Sequence, residues 1–420
     1  MAVVGSGVAG LTAGYLLSQT SRVVLFEADS RLGGHADTHQ VPLGDGRTVP
    51  VDTGFIVHND RTYPILRRLF EQLGVRTQAS DMSMSVRCVE SGLEYAGAKG
   101  PRGLFAQPRN VARPSYLRML TEVPRFHRAA RTLLAEPDDD SVTLADFLED
   151  GGYSRGFHDW FMTPLVAAVW SCAPNVALDY PARYLFRFLE HHGMLTVYGS
   201  PPWRTVVGGS IRYVEKVAAR LHEVRRSSPV RSIREDEAGV EVTVAGRAPE
   251  RFDEVVVATH PHQALKMLDR PTVAQGEVLA DMPYSPNTAT LHTDSRLLPR
   301  SPGARASWNY LRRGPEADHV VVSYDLTRLQ RLDRGPHAVR DRRFVLTLGG
   351  EDLIDPAAVI ETMRYEHPIY DPVSCAAQRR LSEVDTSRVK FAGAYHGWGF
   401  HEDGARSGAA AAAALGGRWP

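Results

Sequence analysis

The sequence predicts an α/β fold: a Rossmann-like parallel-sheet domain joined to a discontinuous α+β domain of mixed sheet and helix. Three observations carry this. A strand, a glycine-rich turn, a helix and a second strand follow one another within the first 27 residues. Period-two apolar runs return at 230–259 and again near 389, far along the chain. With 420 residues and 43% hydrophobic content, the chain can bury cores for two domains.

The N-terminal stretch is the most specific. Ala2-Val3-Val4 is a short apolar run read as a buried parallel strand, and Gly5-Ser6-Gly7-Val8-Ala9-Gly10 follows at once. Leu11 to Leu17 continues with helical apolar spacing, and Arg22-Val23-Val24-Leu25-Phe26 reads as a strand ending at Glu27 and Ala28. In a G-x-G-x-x-G turn the first glycine permits the tight bend. The second lets backbone approach a pyrophosphate, and the third lets helix and strand pack closely. Amides at the helix N-terminus would hold the phosphates, with Glu27 placed for ribose hydroxyls. A lone glycine motif is weak, but here its whole strand-turn-helix-strand context is present.

The following residues select the dinucleotide. Arg31-Leu32-Gly33-Gly34-His35-Ala36-Asp37-Thr38 resembles the R-x-G-G-[RH]-x-x-T element of the flavin amine oxidoreductase superfamily. Asp52-Thr53-Gly54-Phe55-Ile56-Val57 resembles that family's next element, which passes beside the isoalloxazine ring. Val389-Lys390-Phe391-Ala392-Gly393-Ala394 and Gly399-Phe400-His401-Glu402-Asp403-Gly404 to Gly408 resemble its closing signature. The resemblance implies FAD in a GR2-type, amine-oxidase-like fold. Its cofactor contacts would fall at Gly5, Gly7, Val8, Ala9, Gly10, Glu27, Ala28, Arg31, Gly33, Gly34, His35, Thr53, Gly54, Phe55, Ile56, Gly393, Ala394, Phe400, His401 and Glu402. It also implies that the backbone of Val230 pairs with the adenine. The expected FAD-binding domain is 1–78, 205–268 and 385–420, and the substrate domain is 79–204 and 269–384.

Composition narrows the class further. Net charge is zero, so nothing global suggests nucleic acid. Cys88, Cys172 and Cys375 are scattered, with no C-x-x-C, which favours reduced cytoplasmic thiols over disulfides or zinc. No apolar run approaches the ~20 residues of a membrane span, and a strand at the very start leaves no room for a leader. The expected location is the cytoplasm, with peripheral contact at the inner face of the membrane open.

Further along, Thr62 to Gly74 has apolar residues at Ile65, Leu66, Leu69, Phe70 and Leu73, an amphipathic helix with Gly74 as its C-cap. Ordinary packing is its reading. Ser83 to Val89 alternates and should begin a sheet of the second domain. From Lys99 to Arg131 eight basic residues face a single acid, Glu122, with Leu104, Phe105, Tyr116, Leu117, Leu120, Val123 and Phe126 between them. This is either a solvated helical face or a surface that rests on anionic lipid. Residues 136–140 read as a loop, and Ser141 or Thr143 could cap a helix starting near Leu144.

Aromatics crowd 157–193: Trp160, Phe161, Trp170, Tyr180, Tyr184, Phe186 and Phe188. Such stripes are more often core than cofactor box. Trp170-Ser171, His191-His192-Gly193-Met194-Leu195, Trp203-Arg204-Thr205-Val206 and Ser307-Trp308-Asn309-Tyr310 resemble a narrower bacterial group. Its members are FAD-binding oxidoreductases encoded beside cyclopropane-fatty-acid-synthase-like methyltransferases. Ser80 to Ser83, Leu104 to Gln107 and Gly399 to Gly404 support the match. By this resemblance Trp170, His191, His192, Trp203, Trp308 and Phe400 would line the substrate pocket.

Gly208 to Val214 opens a helix, and 230–233, 240–244 and 252–259 read as strands. His260 and His262 follow as turn residues rather than ligands, and no metal site is expected. Thr288 to Thr293 occupies the strand where amine oxidases of the superfamily carry a lysine beside the flavin. Here the only lysines are Lys99, Lys216, Lys266 and Lys390. Amine oxidation is therefore doubtful. Cys375 lacks the glycines of the family's covalent flavin linkage, so non-covalent FAD is expected.

Together these imply FAD-dependent dehydrogenation of a methylated or unsaturated fatty acyl chain, with His292, Tyr395 or His396 as base by predicted location. A methylene-fatty-acid reductase, a double-bond isomerase, a flavin amine oxidase and a non-enzymatic flavin-bound lipid carrier stay open. Partners would be a lipid substrate, an anionic membrane surface through 99–131, and functionally a fatty-acid methyltransferase.

Overall fold

A strand with apolar residues on both faces must be covered on both faces. Ala2–Val4 meets this condition: Val3 packs into one core, Ala2 and Val4 into another. The same odd–even division holds along Val24–Phe26 and Val255–Val257. In the computed structural model, which describes residues 1–137, 141–170, 176, 178–196, 199–314, 321–335 and 338–420, these strands form an all-parallel sheet. Its order is Glu223–Arg225, Val24–Phe26, Ala2–Val4, Val255–Val257, Val389–Phe391. Asp138, Asp139 and Asp140 of the expected loop, Ser171 and Cys172 lie outside the described residues.

One face of this sheet carries the helix Val8–Leu17, buried along its whole length. The last helix, His401–Ala414, crosses it closely because its contacting side is made of small residues. A Cβ on Gly408 would lie 2.1 Å from the Ala9 carbonyl oxygen. The other face carries the antiparallel strands Val230–Asp236, Gly239–Val244 and Glu250–Phe252, with the helices Pro261–Met267 and Val273–Ala280.

A second core surrounds a seven-stranded sheet. Its order is Val359–Pro368, Tyr284–His292, Val345–Leu348, Val321–Asp325, Trp308–Arg312, Met84–Cys88, Glu94–Ala96. All its pairs are antiparallel except Met84–Cys88 with Trp308–Arg312. Helices Pro114–Ala135, Leu144–Asp150, Thr163–Trp170 and Ala182–His191 contribute Phe126, Leu144, Val166 and Phe186 to that core. Thr143 caps the second of them: its Oγ1 accepts from the Asp146 amide, and its own amide donates to Asp146 Oδ2. Most of the aromatic-rich stretch is ordinary core, with Phe157, Phe186 and Tyr180 fully buried. A small sheet of His58–Asn59, Trp203–Val206 and Thr77–Ala79 ties together segments far apart in sequence. Among the described residues, no helix is long and apolar enough to cross a membrane.

Candidate active site

A cavity of about 1000 Å³ opens where the parallel strands end. Its walls include Gly5 to Ala9 after the first strand and Glu27 to Asp29 after the second. Ala258 to His260 and Gly393 to Tyr395 follow the two beyond. Open α/β sheets bind their ligands at these carboxyl ends. The turn itself is tightly built: Gly5 sits at φ +99°, and a Cβ on Gly10 would lie 1.9 Å from the Gly5 carbonyl oxygen. A Cβ on Gly7, by contrast, would meet nothing within 4 Å. Gly10 is thus constrained by the protein, whereas the space at Gly7 is left for a ligand.

Glu27 lines the cleft where the second parallel strand ends, its oxygens accepting from the Ser6 amide and hydroxyl and from the Asp29 amide. Ala28, Arg31, Gly34 and Val230 line the same side. Gly10 and Gly33 shape the turn from behind without lining it; the Gly33 amide donates to Ser6 Oγ at 3.0 Å. His35 lines the cleft with its Nε2 buried and without a partner among the described residues. Burial first, then the neighbouring His367, His260, His401 and Arg31 hold that imidazole well below the ordinary histidine range. A buried ring nitrogen left without a partner beside the cleft is the kind of polar atom that a bound ligand completes.

Thr53, Gly54, Phe55, Ile56, Ala394, Phe400 and His401 line the next section. Phe55 stacks flat on His401 at 3.9 Å and 7°. Behind them Asp52 accepts from Thr38 Oγ1 and from the amide and hydroxyl of Ser210, joining the pieces of this domain. Burial raises the Asp52 carboxyl to about 6.

The model of the family described as flavin containing amine oxidoreductase matches residues 8–416. The chain belongs to that family. It is an FAD-dependent oxidoreductase, and the cleft above, with its phosphate turn and Glu27, fits the cofactor. Among relatives, a carotenoid phi-ring synthase of Streptomyces griseus is 27% identical over 312 residues, which cover 70% of this chain and 57% of the relative. The chain thus spans little more than half of that relative's length. Among solved structures, a cyclohexylamine oxidase from Brevibacterium oxydans superposes with a TM-score of 0.72 at 19% identity, covering 99% and 98% of the two chains. A CLA-producing fatty acid isomerase from P. acnes gives 0.69 at 16% identity, over 97% and 96%. These likenesses establish the shared fold.

In this member of the family the cleft continues into an aromatic chamber lined by Trp170, Phe188, His192, Trp308, Tyr324 and Phe400. Phe188 stacks on Phe400 at 4.9 Å and on His192 at 4.1 Å, and Trp170 packs on Phe188 at 4.6 Å. Trp203 also lines the cleft. His191 does not: its ring packs against Trp398 at 5.3 Å, on the exposed side of the same helix end. His191 is the last residue of the helix and His192 its C-cap, and the two rings lie at 79° to each other, both touching Trp398.

The expected bases are placed unevenly. Tyr395 lines the cleft, with its hydroxyl buried and unpartnered among the described residues. His396 faces away, its Nε2 buried outside the cleft wall. His292 lies at the far end of the strand Tyr284–His292, whose Tyr284 and Pro286 reach the cleft. Six residues of extended chain separate it from Pro286, about 20 Å. Both its ring nitrogens are engaged, Nδ1 by the Asp294 amide and Nε2 by Thr347 Oγ1, so it is a core residue. Glu402 is likewise no part of the cleft wall: its two oxygens accept from the Ile65 and Leu66 amides.

Sequence reasoning missed Phe188, Tyr324, Lys266 and the run Arg364 to Pro368, all of which line the cleft. Tyr365 donates to Asp37 Oδ2 and contacts Thr53 Oγ1, linking the substrate sheet to the cofactor elements. No local motif marks that run; its place follows from its pairing with Tyr284–His292.

Proposed function

We propose that the protein dehydrogenates a methylated or unsaturated fatty acyl chain, with non-covalent FAD as the oxidant. The chamber carries this reading. Its walls are aromatic, and the strand Tyr284–His292 brings no lysine to it. A relative named for a carotenoid ring and a fold neighbour named for a fatty acid support a hydrophobic chain as substrate. Among the described residues no cysteine lines the cleft, and Cys375 is buried in the helix Pro372–Arg379, which supports non-covalent holding.

The proton acceptor in this reading is His192. A carbonyl oxygen can only accept, so the 3.0 Å contact of His192 Nδ1 with the Phe188 carbonyl requires Nδ1 to carry the hydrogen. Nε2 then holds the lone pair, on a ring that lines the chamber. Burial lowers its pKa to about 4, which keeps the ring neutral with Nε2 unprotonated and also makes it a weak base. FAD, when bound, supplies the two-electron acceptor for the hydride lost from the neighbouring carbon. His192 removes the adjacent proton, leaving a carbon–carbon double bond. The aromatic walls exclude water and hold the chain extended. A methylated chain as substrate also links the enzyme functionally to a fatty-acid methyltransferase.

Anaerobic mixing of the purified protein with lipid extract tests this. Bleaching of the flavin is expected, slowed at least tenfold in His192→Gln at unchanged FAD content. Reoxidation of dithionite-reduced flavin by lipid would instead indicate a reductase. Indifference of both flavin states to lipid would overturn redox chemistry and leave an isomerase or a carrier.

A further inference from the structure

His260 and His262 stand at the start of the helix Pro261–Met267, where a sequence reading takes them for turn residues. The fold brings Glu366, more than 100 residues away, between them. Glu366 lies on Val359–Pro368, opposite Pro286 of the neighbouring strand. Its Oε2 is 2.8 Å from His260 Nδ1 and 3.6 Å from His262 Nε2. One ligand atom from each of the three residues lies within 4.8 Å of the others.

A single ion pair needs one histidine, not two. Two imidazoles converging on one carboxylate oxygen would repel each other if both were protonated. Two imidazoles and a carboxylate converging on one point are a donor set for a divalent transition metal. With metal–ligand bonds of about 2.0–2.1 Å at tetrahedral angles, donor atoms stand about 3.3 Å apart. The observed 2.8 and 3.6 Å bracket that spacing. Tyr284 stacks on the His260 ring at 4.3 Å and 24° and so fixes its orientation. The Gln263 side chain accepts from the His260 amide at 3.3 Å, steadying the helix start.

We propose that His260, His262 and Glu366 bind one divalent transition-metal cation beside the cofactor cleft. Three protein ligands leave at least one coordination position for water or a cleft ligand. The site selects borderline cations such as Zn²⁺ or Co²⁺ over Mg²⁺, which prefers an all-oxygen shell.

The test uses untagged, chelator-treated, flavin-loaded protein in equilibrium dialysis against Zn²⁺, with metal counted by mass spectrometry and flavin followed by absorbance. One equivalent of Zn²⁺ at micromolar or tighter Kd is expected, undisturbed by millimolar Mg²⁺. His262→Ala, outside the cleft wall, should weaken binding at least tenfold at unchanged flavin content, and Glu366→Gln should do the same to the metal. Substoichiometric binding, displacement by Mg²⁺, or an unchanged Kd in His262→Ala would overturn the proposal and leave an ordinary histidine–glutamate ion pair. Should Glu366→Gln fail to fold, His262→Ala and His262→Gln decide the matter.

Discussion

Glu402, in the last helix, accepts hydrogen bonds from the amides of both Ile65 and Leu66 at 3.0 Å, capping the helix Pro64–Leu73. The first amides of any helix lack internal partners, and a carboxylate there also suits the helix dipole. Burial nevertheless outweighs these bonds and raises the Glu402 carboxyl to about 7.

A raised carboxyl pKa makes stability fall as pH climbs. The contribution of Glu402 is fully present below its unfolded pKa near 4.5 and is lost as pH rises through about 7. At about 1.4 kcal/mol per unit, the loss reaches at most about 3 kcal/mol. Glu402→Gln cannot ionise, so its melting temperature should gain on that of the parent between pH 5 and pH 8. Melting curves with a difference that stays constant over this range would show that Glu402 ionises normally.

The two glycines of the phosphate turn should fail differently. Gly10→Val drives a side chain into the Gly5 carbonyl and the Ala258 methyl, an overpacking that costs about 1–3 kcal/mol. Gly7→Val enters open space and should leave the melting temperature of the flavin-free protein unchanged. Both variants should lose the yellow colour. Flavin retained at one equivalent by folded Gly7→Val would show that the phosphates do not approach there.

Amine turnover should be absent. The strand Tyr284–His292 carries no lysine, and Asn287 is committed to His367 Nδ1 at 3.0 Å. A peroxide assay across common mono- and polyamines should stay at background. Robust turnover of any of them would remove the argument for a lipid substrate.

The stretch 99–131 should bind anionic vesicles in a salt-dependent way. Several of its cations are already used: Arg118 and Arg125 pair with the buried Glu122, Arg125 covers the Tyr153 ring, and Arg113 reaches the Ser91 carbonyl. Tyr116 and Phe126 point inward, leaving Val111 and Leu117 as its exposed large apolar groups. Attraction must weaken as salt shortens the screening length from ~10 Å at 0.1 M to ~3 Å at 1 M. Reversing the exposed Arg102 and Arg128 to Glu should reduce cosedimentation with anionic vesicles while FAD content is unchanged. Binding equal to that of the parent would mark the stretch as a solvated face.

The expectations that held longest were local ones. Gly74 ends a helix, Thr143 caps one, and Val240 to Val244 alternate along a strand, because each depends on residues a few positions away. Expectations about which side chain faces the cleft fared worse. His292, a candidate base by predicted location, ends its strand away from the cleft, and of that strand only Tyr284 and Pro286 reach it. His191 and His192 are adjacent, yet only His192, just beyond the helix end, lines the cleft.

The phosphate turn, the acid at the tip of the second strand and the flavin signatures are legible in the residues alone. Their chemistry is written in contiguous residues whose backbone geometry the local chain enforces. Tertiary packing alone gives Glu402 to the helix Pro64–Leu73 and keeps it out of the cleft wall, sets His292 far from the cleft, and puts Glu366 between His260 and His262. Each of those depends on register between segments about 100 or more residues apart, which packing sets and no local pattern encodes.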